Sequence, residues 1–437
     1  MSLLISFAVF IAAMIVSLSA GITMILPLGV GLTAFTVTAL RGGFRLPAIL
    51  KMILKGMRNS LVVVVILLLI GCLTSLWRQC GTIAYFTDYG IRLIPPRIFI
   101  LAAFLLTSIM AYALGTSFGT AGAIGVILMT IARANGISPA MTGGAILSGL
   151  YFGDRGSPAS SSASLVANVS GTDVSENFKR MLPSSALPML VCAALYTVLS
   201  LTTDAGNVDL SILNDFETEF HLSLWCLLPT VLLLGLAFAG LKIRHVMEID
   251  ILVSFVMTLL LQKTPVVDVL RMTLLGYTPK NPALTATLAG GGVKSMLEVA
   301  CILLLSNGCA GIFEGTRMLR TVQRALKALA DRAGRFPAMV VTSFGVVAVF
   351  CNQTIGTIMC RQVMERCYGD TPGERQALML DLENSVITVA AIVPWCIASS
   401  VPIRLLGCGT AAIPFAAYLY LLPIFWQLHL MRKERLS

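Results

Sequence analysis

Charge is what this sequence has least of. Asp, Glu, Lys and Arg together make up 12% of its 437 residues, about half the share of an average soluble domain. So thin a polar supply excludes an ordinary water-exposed globule; the space is filled by 57% hydrophobic residues, with a mean hydropathy of +0.88. Histidine is scarcer still. His221, His245 and His429 all lie at or near the ends of apolar runs, too dispersed to build a zinc centre together. No cysteine falls in a CxxC or Cys/His pattern, and Cys72, Cys192, Cys301 and Cys309 sit within apolar runs as small core hydrophobes. Short alternating segments are missing too, which excludes a β-barrel.

What is there is a series of apolar runs, several reaching the roughly 18–20 residues that cross a bilayer as a helix. The fold class is therefore an all-α polytopic membrane protein. Spans fall at about 3–20, 22–40, 59–77, 97–113, 118–134, 141–152, 183–202, 222–241, 247–262, 296–314, 337–360, 384–402 and 407–430. The pieces 141–152 and 247–262 are short for a crossing, which points to re-entrant hairpins and a total of roughly ten to twelve full spans. The first run, from Leu3 to Ser19, has no basic leader or small-residue cleavage site and reads as a retained span.

The net charge of +10 does not imply nucleic acid, because the positive residues sit in short loops between spans. The 41–58 loop carries Arg41, Arg45, Lys51, Lys55 and Arg58, and the tail carries Arg432, Lys433 and Arg435. The 203–220 loop carries Asp204, Asp209, Asp215, Glu217 and Glu219 with no Lys or Arg. Basic loops face the cytoplasm and the acidic one faces outward, which puts both termini inside. The 317–335 linker combines Arg317, Arg320, Arg324, Lys327, Arg332 and Arg335 with Leu319, Val322, Leu326 and Leu329 at helical spacing. It reads as an amphipathic helix on the inner membrane surface, or alternatively as a calmodulin-type target.

An internal repeat is visible. Ile66-Leu67-Leu68-Leu69 with Cys72 recurs as Ile302-Leu303-Leu304-Leu305 with Cys309, about 236 residues on. Polar breaks follow at similar offsets: Thr116-Ser117 against Gln353-Thr354, and Asp154 against Glu383. This divides the chain into N-terminal spans and a cytoplasmic loop (1–58), a first transport repeat (59–202), an acidic loop with connecting spans (203–280) and a second transport repeat (281–437).

Four polar breaks interrupt the oil. Gly115-Thr116-Ser117-Phe118-Gly119-Thr120 matches the GxSxG nucleophile elbow, but no histidine lies in a span core to act as base, so a hydrolase is disfavoured. Small residues packing helices closely are one alternative; hydroxyls and freed carbonyls at a broken helix coordinating sodium are another. Gly153-Asp154-Arg155-Gly156-Ser157-Pro158-Ala159-Ser160-Ser161-Ser162 sets a carboxylate among hydroxyls. Asp154 and Arg155 form either an ion pair at a membrane edge or a site where sodium and a proton exclude each other. Asn352-Gln353-Thr354 and Glu383-Asn384-Ser385 complete the set, Glu383 serving either the helix dipole or the site.

These residues carry a resemblance. The Gly115–Thr120 and Gly153–Ser160 blocks resemble the NhaC family of bacterial sodium/proton antiporters. Trp77-Arg78-Gln79-Cys80-Gly81-Thr82-Ile83, Gly171-Thr172-Asp173, Asn352-Gln353, Leu382-Glu383-Asn384-Ser385 and Val393-Pro394-Trp395 follow the same pattern in order. The resemblance implies two inverted repeats, each with a re-entrant hairpin and broken helices, and in related families a homodimer. It also marks a departure: the position of the family's second carboxylate is Ser161, and the Asn after Pro-Trp is Cys396. Some relatives move organic acids or amino acids coupled to ions, which a neutral hydroxyl-lined pocket would suit.

The expectation is a bacterial inner-membrane transporter, not an enzyme, exchanging sodium for protons by alternating access; the alternative is ion-coupled transport of a small organic acid or amino acid. Asp154 is the expected sodium- or proton-carrying carboxylate. Thr116, Ser117, Thr120, Ser157, Ser160, Ser161 and Ser162 are its expected neutral companions, faced by Gln353, Thr354, Glu383, Asn384 and Ser385. No cofactor is expected beyond the transported ions, and the only partners are the lipid bilayer, the ion or small solute, and a second copy.

Overall fold

Backbone in hydrocarbon must satisfy its own hydrogen bonds, so the apolar runs become helices. The structure is a computed structural model, and it describes residues 3–20, 22–203, 211–316 and 330–436. Among these residues the regular elements are helical, with one isolated antiparallel bridge between Tyr277 and Gly290. Leu61–Gln79, Pro96–Leu114, Ser117–Ala134, Val174–Thr202 and Val293–Thr316 are long and apolar enough to cross a membrane. Two bent pairs, Leu213–Glu219 with Leu224–Phe238 and Pro372–Ile392 with Ile397–Leu406, each add one span if the pair counts as one. The shorter apolar helices Ile5–Ser17, Ile25–Arg41 and Arg335–Phe350 accompany them. The chain is a multi-pass, all-α membrane protein.

Three expectations change. The basic 41–58 loop is mostly a helix, Leu46–Asn59, whose Ile49, Ile53 and Gly56 face inward while Lys51, Lys55 and Arg58 face out. Its apolar spacing of three to four residues was enough to form a helix within a basic segment. The expected spans 337–360 and 384–402 are each broken, at Cys351-Asn352 and at Val393–Cys396. The short 141–152 piece belongs to Pro139–Gly156, a helix buried along most of its length rather than exposed to lipid. Of the amphipathic linker expected at 317–335, residues 317–329 lie outside the described residues, and Arg335 opens the next helix.

Small residues set the closest helix crossings. A Cβ on Gly311 would stand 2.2 Å from the Met52 carbonyl oxygen, and one on Gly56 2.1 Å from that of Asn307. A Cβ on Gly153 would stand 2.2 Å from the carbonyl carbon of Ala111, so Pro139–Gly156 touches Phe99–Leu114 backbone to backbone. Gly311→Val is therefore expected to cost about 1–3 kcal/mol of overpacking. An unchanged unfolding temperature in detergent would refute the crossing.

The repeat is a repeat of backbone. Phe99–Leu114 and Arg335–Phe350 have 16 residues each and start 236 positions apart. Each ends on a left-handed residue, Gly115 (φ 64°) or Cys351 (φ 52°). An extended cap follows, Thr116 (φ −147°, ψ 123°) or Asn352 (φ −143°, ψ 125°), and the helix restarts at Ser117 or Gln353. Farther on, Ser157-Pro158-Ala159-Ser160 links to the Ser161–Ser170 helix, closed by left-handed Gly171. Val393-Pro394-Trp395-Cys396 links to Ile397–Leu406, closed by left-handed Gly407. This register corrects two pairings: Thr116-Ser117 answers Asn352-Gln353, and Asp154 answers Ala390 rather than Glu383. The halves keep the broken-helix geometry and do not keep the charge.

The halves also interlock reciprocally. Arg133 donates to the carbonyls of Leu406 (2.7 Å) and Gly407 (3.0 Å), and Arg361 donates to that of Val169 (3.0 Å). Each guanidinium thus satisfies orphan carbonyls at the C-terminal end of the other half's short helix.

Candidate functional site

Gly115 and Ser160 make the two breaks of the first half, and each leaves its restarting helix capped from within. Thr116 Oγ1 accepts from the Gly119 amide, and Asn352 Oδ1 does the same for Thr354 and Ile355 in the second half. Ser160 Oγ accepts from the Ser162 and Ala163 amides and donates to the Asp154 carbonyl. The capped ends converge on Asp154, which lies in the last turn of Pro139–Gly156 and is 3% exposed. Its Oδ2 accepts from Gln353 Nε2 at 3.0 Å and Ser162 Oγ at 2.9 Å. Residues 199 positions apart are thereby joined across the two halves.

Beside this carboxylate lies a cavity of about 390 Å³. Thr116, Ser117, Asp154, Ser161, Ser162, Gln353 and Thr354 line it, so most of the expected set does meet. Thr120, Ser157, Ser160, Glu383, Asn384 and Ser385 stand off its wall. Thr120 hydroxyl is spent on the Thr116 carbonyl, and Ser157 Oγ accepts from the Ala159 amide. Ser385 donates to the Asp381 carbonyl and accepts from Ser343. Glu383 and Asn384 are buried beyond the cavity.

Arg155 does not pair with Asp154. It is fully buried, turned away, and donates to Ser184, Ser185 and the Met181 carbonyl. The ion-pair reading therefore falls, since the guanidinium is spent on other partners and the carboxylate on Gln353 and Ser162. Tyr151, one turn before Asp154, donates to the Ala398 carbonyl and ties the helix to the second half's short helix.

Two features were missed from sequence. Lys242 lines the cavity at its exposed end, in the link between Leu228–Phe238 and Ile243–Leu261. Asp250 is fully buried, accepting from Trp77 Nε1 at 3.1 Å and from Ser254. A carboxylate inside the apolar 247–262 run is the signal the sequence holds for it.

Comparison with known proteins says which family this geometry belongs to. A family model described as the Na+/H+ antiporter family matches residues 1–163 and 149–426. The chain belongs to the Na+/H+ antiporter family. Both matched ranges of the antiporter family include the Asp154 segment. A malate-2H(+)/Na(+)-lactate antiporter of Bacillus subtilis is 28% identical over 363 residues, covering 82% of this chain and 78% of that protein. The Na(+)/H(+) antiporter NhaC of the same organism is 24% identical over 408 residues, 91% of this chain and 90% of its own. An arginine/ornithine antiporter, ArcD, of Halobacterium salinarum is 27% identical over 405 residues, 88% and 82% of the two chains. The protein is thus a membrane transporter of a family handling ions and small solutes.

Proposed function

We propose that this protein exchanges sodium for protons by alternating access at the bacterial inner membrane, working around Asp154, with both termini in the cytoplasm and a second copy beside it. The observation that carries the reading is the single cavity-lining carboxylate held between the broken helices of the two halves. Hydroxyl oxygens at such breaks are suited to a desolvated monovalent cation, and Thr116, Ser161 and Ser162 stand beside the carboxylate to complete its shell. Relatives named as Na(+)/H(+) antiporters support it.

Specific observations favour a second reading, ion-coupled transport of a small carboxylate or amino acid. About 390 Å³ is far more room than a bare ion needs and falls in the range of small-molecule pockets. Lys242 stands at the open end, Ser161 adds no second negative charge, and the starts of the Ser161–Ser170 and Gln353–Met364 helices face the same space. A solute carboxylate would find positive helix ends and an ammonium there.

The purified chain in liposomes loaded with a pH dye decides between them. A sodium pulse is expected to move protons, and the complete lack of a sodium response would sink the antiport reading. Sodium-gradient-driven uptake of labelled malate, lactate or arginine would promote the second reading. In that case Lys242→Ala is expected to weaken solute affinity roughly tenfold, the loss of one partly exposed charge contact. Unchanged affinity would remove Lys242 from the site.

A further inference from the structure

A carrier that shows one site to two sides of a membrane must part some contacts and keep others. Hydrogen bonds and ion pairs divide this chain into two groups. The described residues up to 94, with 211–316, form the first. Within it Ser75 donates to the Met272 carbonyl, Trp77 to Asp250 and Thr82 to the Cys226 carbonyl, and Lys55 pairs with Glu314. Residues 95–203 and 330–436 form the second, tied by Gln353 to Asp154, Arg133 to Leu406 and Arg361 to Val169. Asp154 thus belongs to the second group, and Lys242 at the cavity's open end belongs to the first.

Among the described residues a single ion pair crosses between the groups. Arg404 Nη1 donates to Glu298 Oε2 at 2.8 Å, the two side chains being 40% and 33% exposed. The other carboxylate oxygen, Oε1, accepts from Thr23 Oγ1 at 2.7 Å, so Glu298 is seated by its own group before it meets the guanidinium. Nearby stretches of the boundary are apolar or glycine. A Cβ on Gly122 would stand 3.1 Å from Ile70, one on Gly90 2.4 Å from Ile131, and Phe313 meets Phe350 edge-on at 5.1 Å. Such surfaces slide without leaving a polar group unpaired.

Arg404 stands in the last turn of Ile397–Leu406, where a cation commonly serves the helix dipole. Here the end carbonyls of Leu406 and Gly407 accept from Arg133, which leaves Arg404 to the boundary. The same short helix touches two cavities. Ile397 and Ala398 line the one at Asp154, whereas Ser400, Ile403 and Arg404 line a second, of about 650 Å³, together with Thr23 and Glu298. The ion pair therefore fixes the helix that stands at both cavities to the Val293–Thr316 helix of the first group.

We propose that Glu298 and Arg404, seated by Thr23, are the clasp that holds the two groups in the conformation whose Asp154 cavity opens beside Lys242, and that the clasp parts in every transport cycle. It rests on the alternating-access part of the reading above and not on the identity of the solute.

One test needs no solute. Ile302 lies one turn after Glu298, 2% exposed on the wall of the second cavity. In the purified full chain, the rate at which a polar maleimide labels Ile302→Cys above the native-cysteine background reads how often the groups part. Glu298→Gln and Arg404→Gln should each raise that rate about two- to fivefold, the shift expected from one partly exposed ion pair. The double variant should be no faster than either single one, and exchanging the charges, Glu298→Arg with Arg404→Glu, should return the rate towards wild type. Unchanged rates overturn the proposal, as do effects of the two substitutions that multiply. A parallel rise at native Cys192, fully buried within the second group, would signal general loosening and overturn it as well.

A second test joins Glu298→Cys to Arg404→Cys with a short reducible cross-linker in liposomes. Sodium-evoked proton flux should stop while the two are joined and return on reduction, whereas the parent chain stays active with the same reagent. Full flux through the joined protein overturns the proposal, because a pair that never parts is only a fold-holding contact. A wild type with no sodium response removes the antiport reading instead, and the labelling rates then decide the clasp alone.

Discussion

Asp154→Asn is expected to reduce sodium-evoked proton movement at least about a hundredfold while leaving the fold in place. Unit charges in contact attract by several kcal/mol even at an effective dielectric of about 20, and each 1.4 kcal/mol or so is tenfold in affinity. The neutral amide forfeits that attraction. The substitution is nearly isosteric, and the hydroxyl that shapes the break, Ser160 Oγ, bonds the main-chain carbonyl of Asp154 and not its side chain. An asparagine oxygen can still accept from Ser162 or Gln353, so the two halves remain joined. A pH dye in proteoliposomes reads the flux, and thermal unfolding in detergent reads the fold. Full activity in the variant would show that the cation is carried elsewhere. Lost activity with collapsed stability would make Asp154 a structural acid.

Much of this site was legible because hydrocarbon makes polarity conspicuous. Thr116, Ser117, Asp154, Ser161, Ser162, Gln353 and Thr354 were singled out for being polar in oil, and they meet around one cavity. That rule cannot say which way a side chain turns. Ser160 and Thr120 are as polar as their neighbours, yet their hydroxyls are consumed by the backbone of the breaks themselves. Lys242 follows an apolar run with nothing in the sequence to mark it, and only the fold brings its link over the cavity. The repeat was legible in its offset and misread in its content. A charge-to-charge alignment paired Asp154 with Glu383, whereas the geometry pairs Pro158 with Pro394 and Gly171 with Gly407. Backbone constraints recur between the halves because both must break a helix inside the membrane; charge need sit on only one side.

That difference makes the second large prediction a paired one. Gly115 and Cys351 occupy the same left-handed position of the two halves, at φ 64° and φ 52°. A side chain there costs about 1–2 kcal/mol by conformation alone. At Gly115 the added Cβ would also stand 2.4 Å from the Ala159 carbonyl carbon and 2.6 Å from its oxygen, inside the link that leads to Ser160. Strain and overpacking together amount to about 2–5 kcal/mol for Gly115→Ala. The residues displaced, Thr116, Ser117 and Ala159, are cavity wall, so transport should fall tenfold or more, roughly in step with that energy. Cys351→Gly should behave oppositely. Glycine relieves the left-handed strain, and the buried core thiol it removes hydrogen-bonds only weakly, at 3.8 Å to the Ala348 and Val349 carbonyls. Gain and loss offset to within about 1 kcal/mol. Unfolding temperatures and sodium-evoked flux of the two variants measure this directly. Equal sensitivity at both positions would mean that the two breaks bear the same load. The expected asymmetry would mean that the first half's break leaves no room for a side chain where it meets the second one, beside Asp154, while its counterpart already accommodates one.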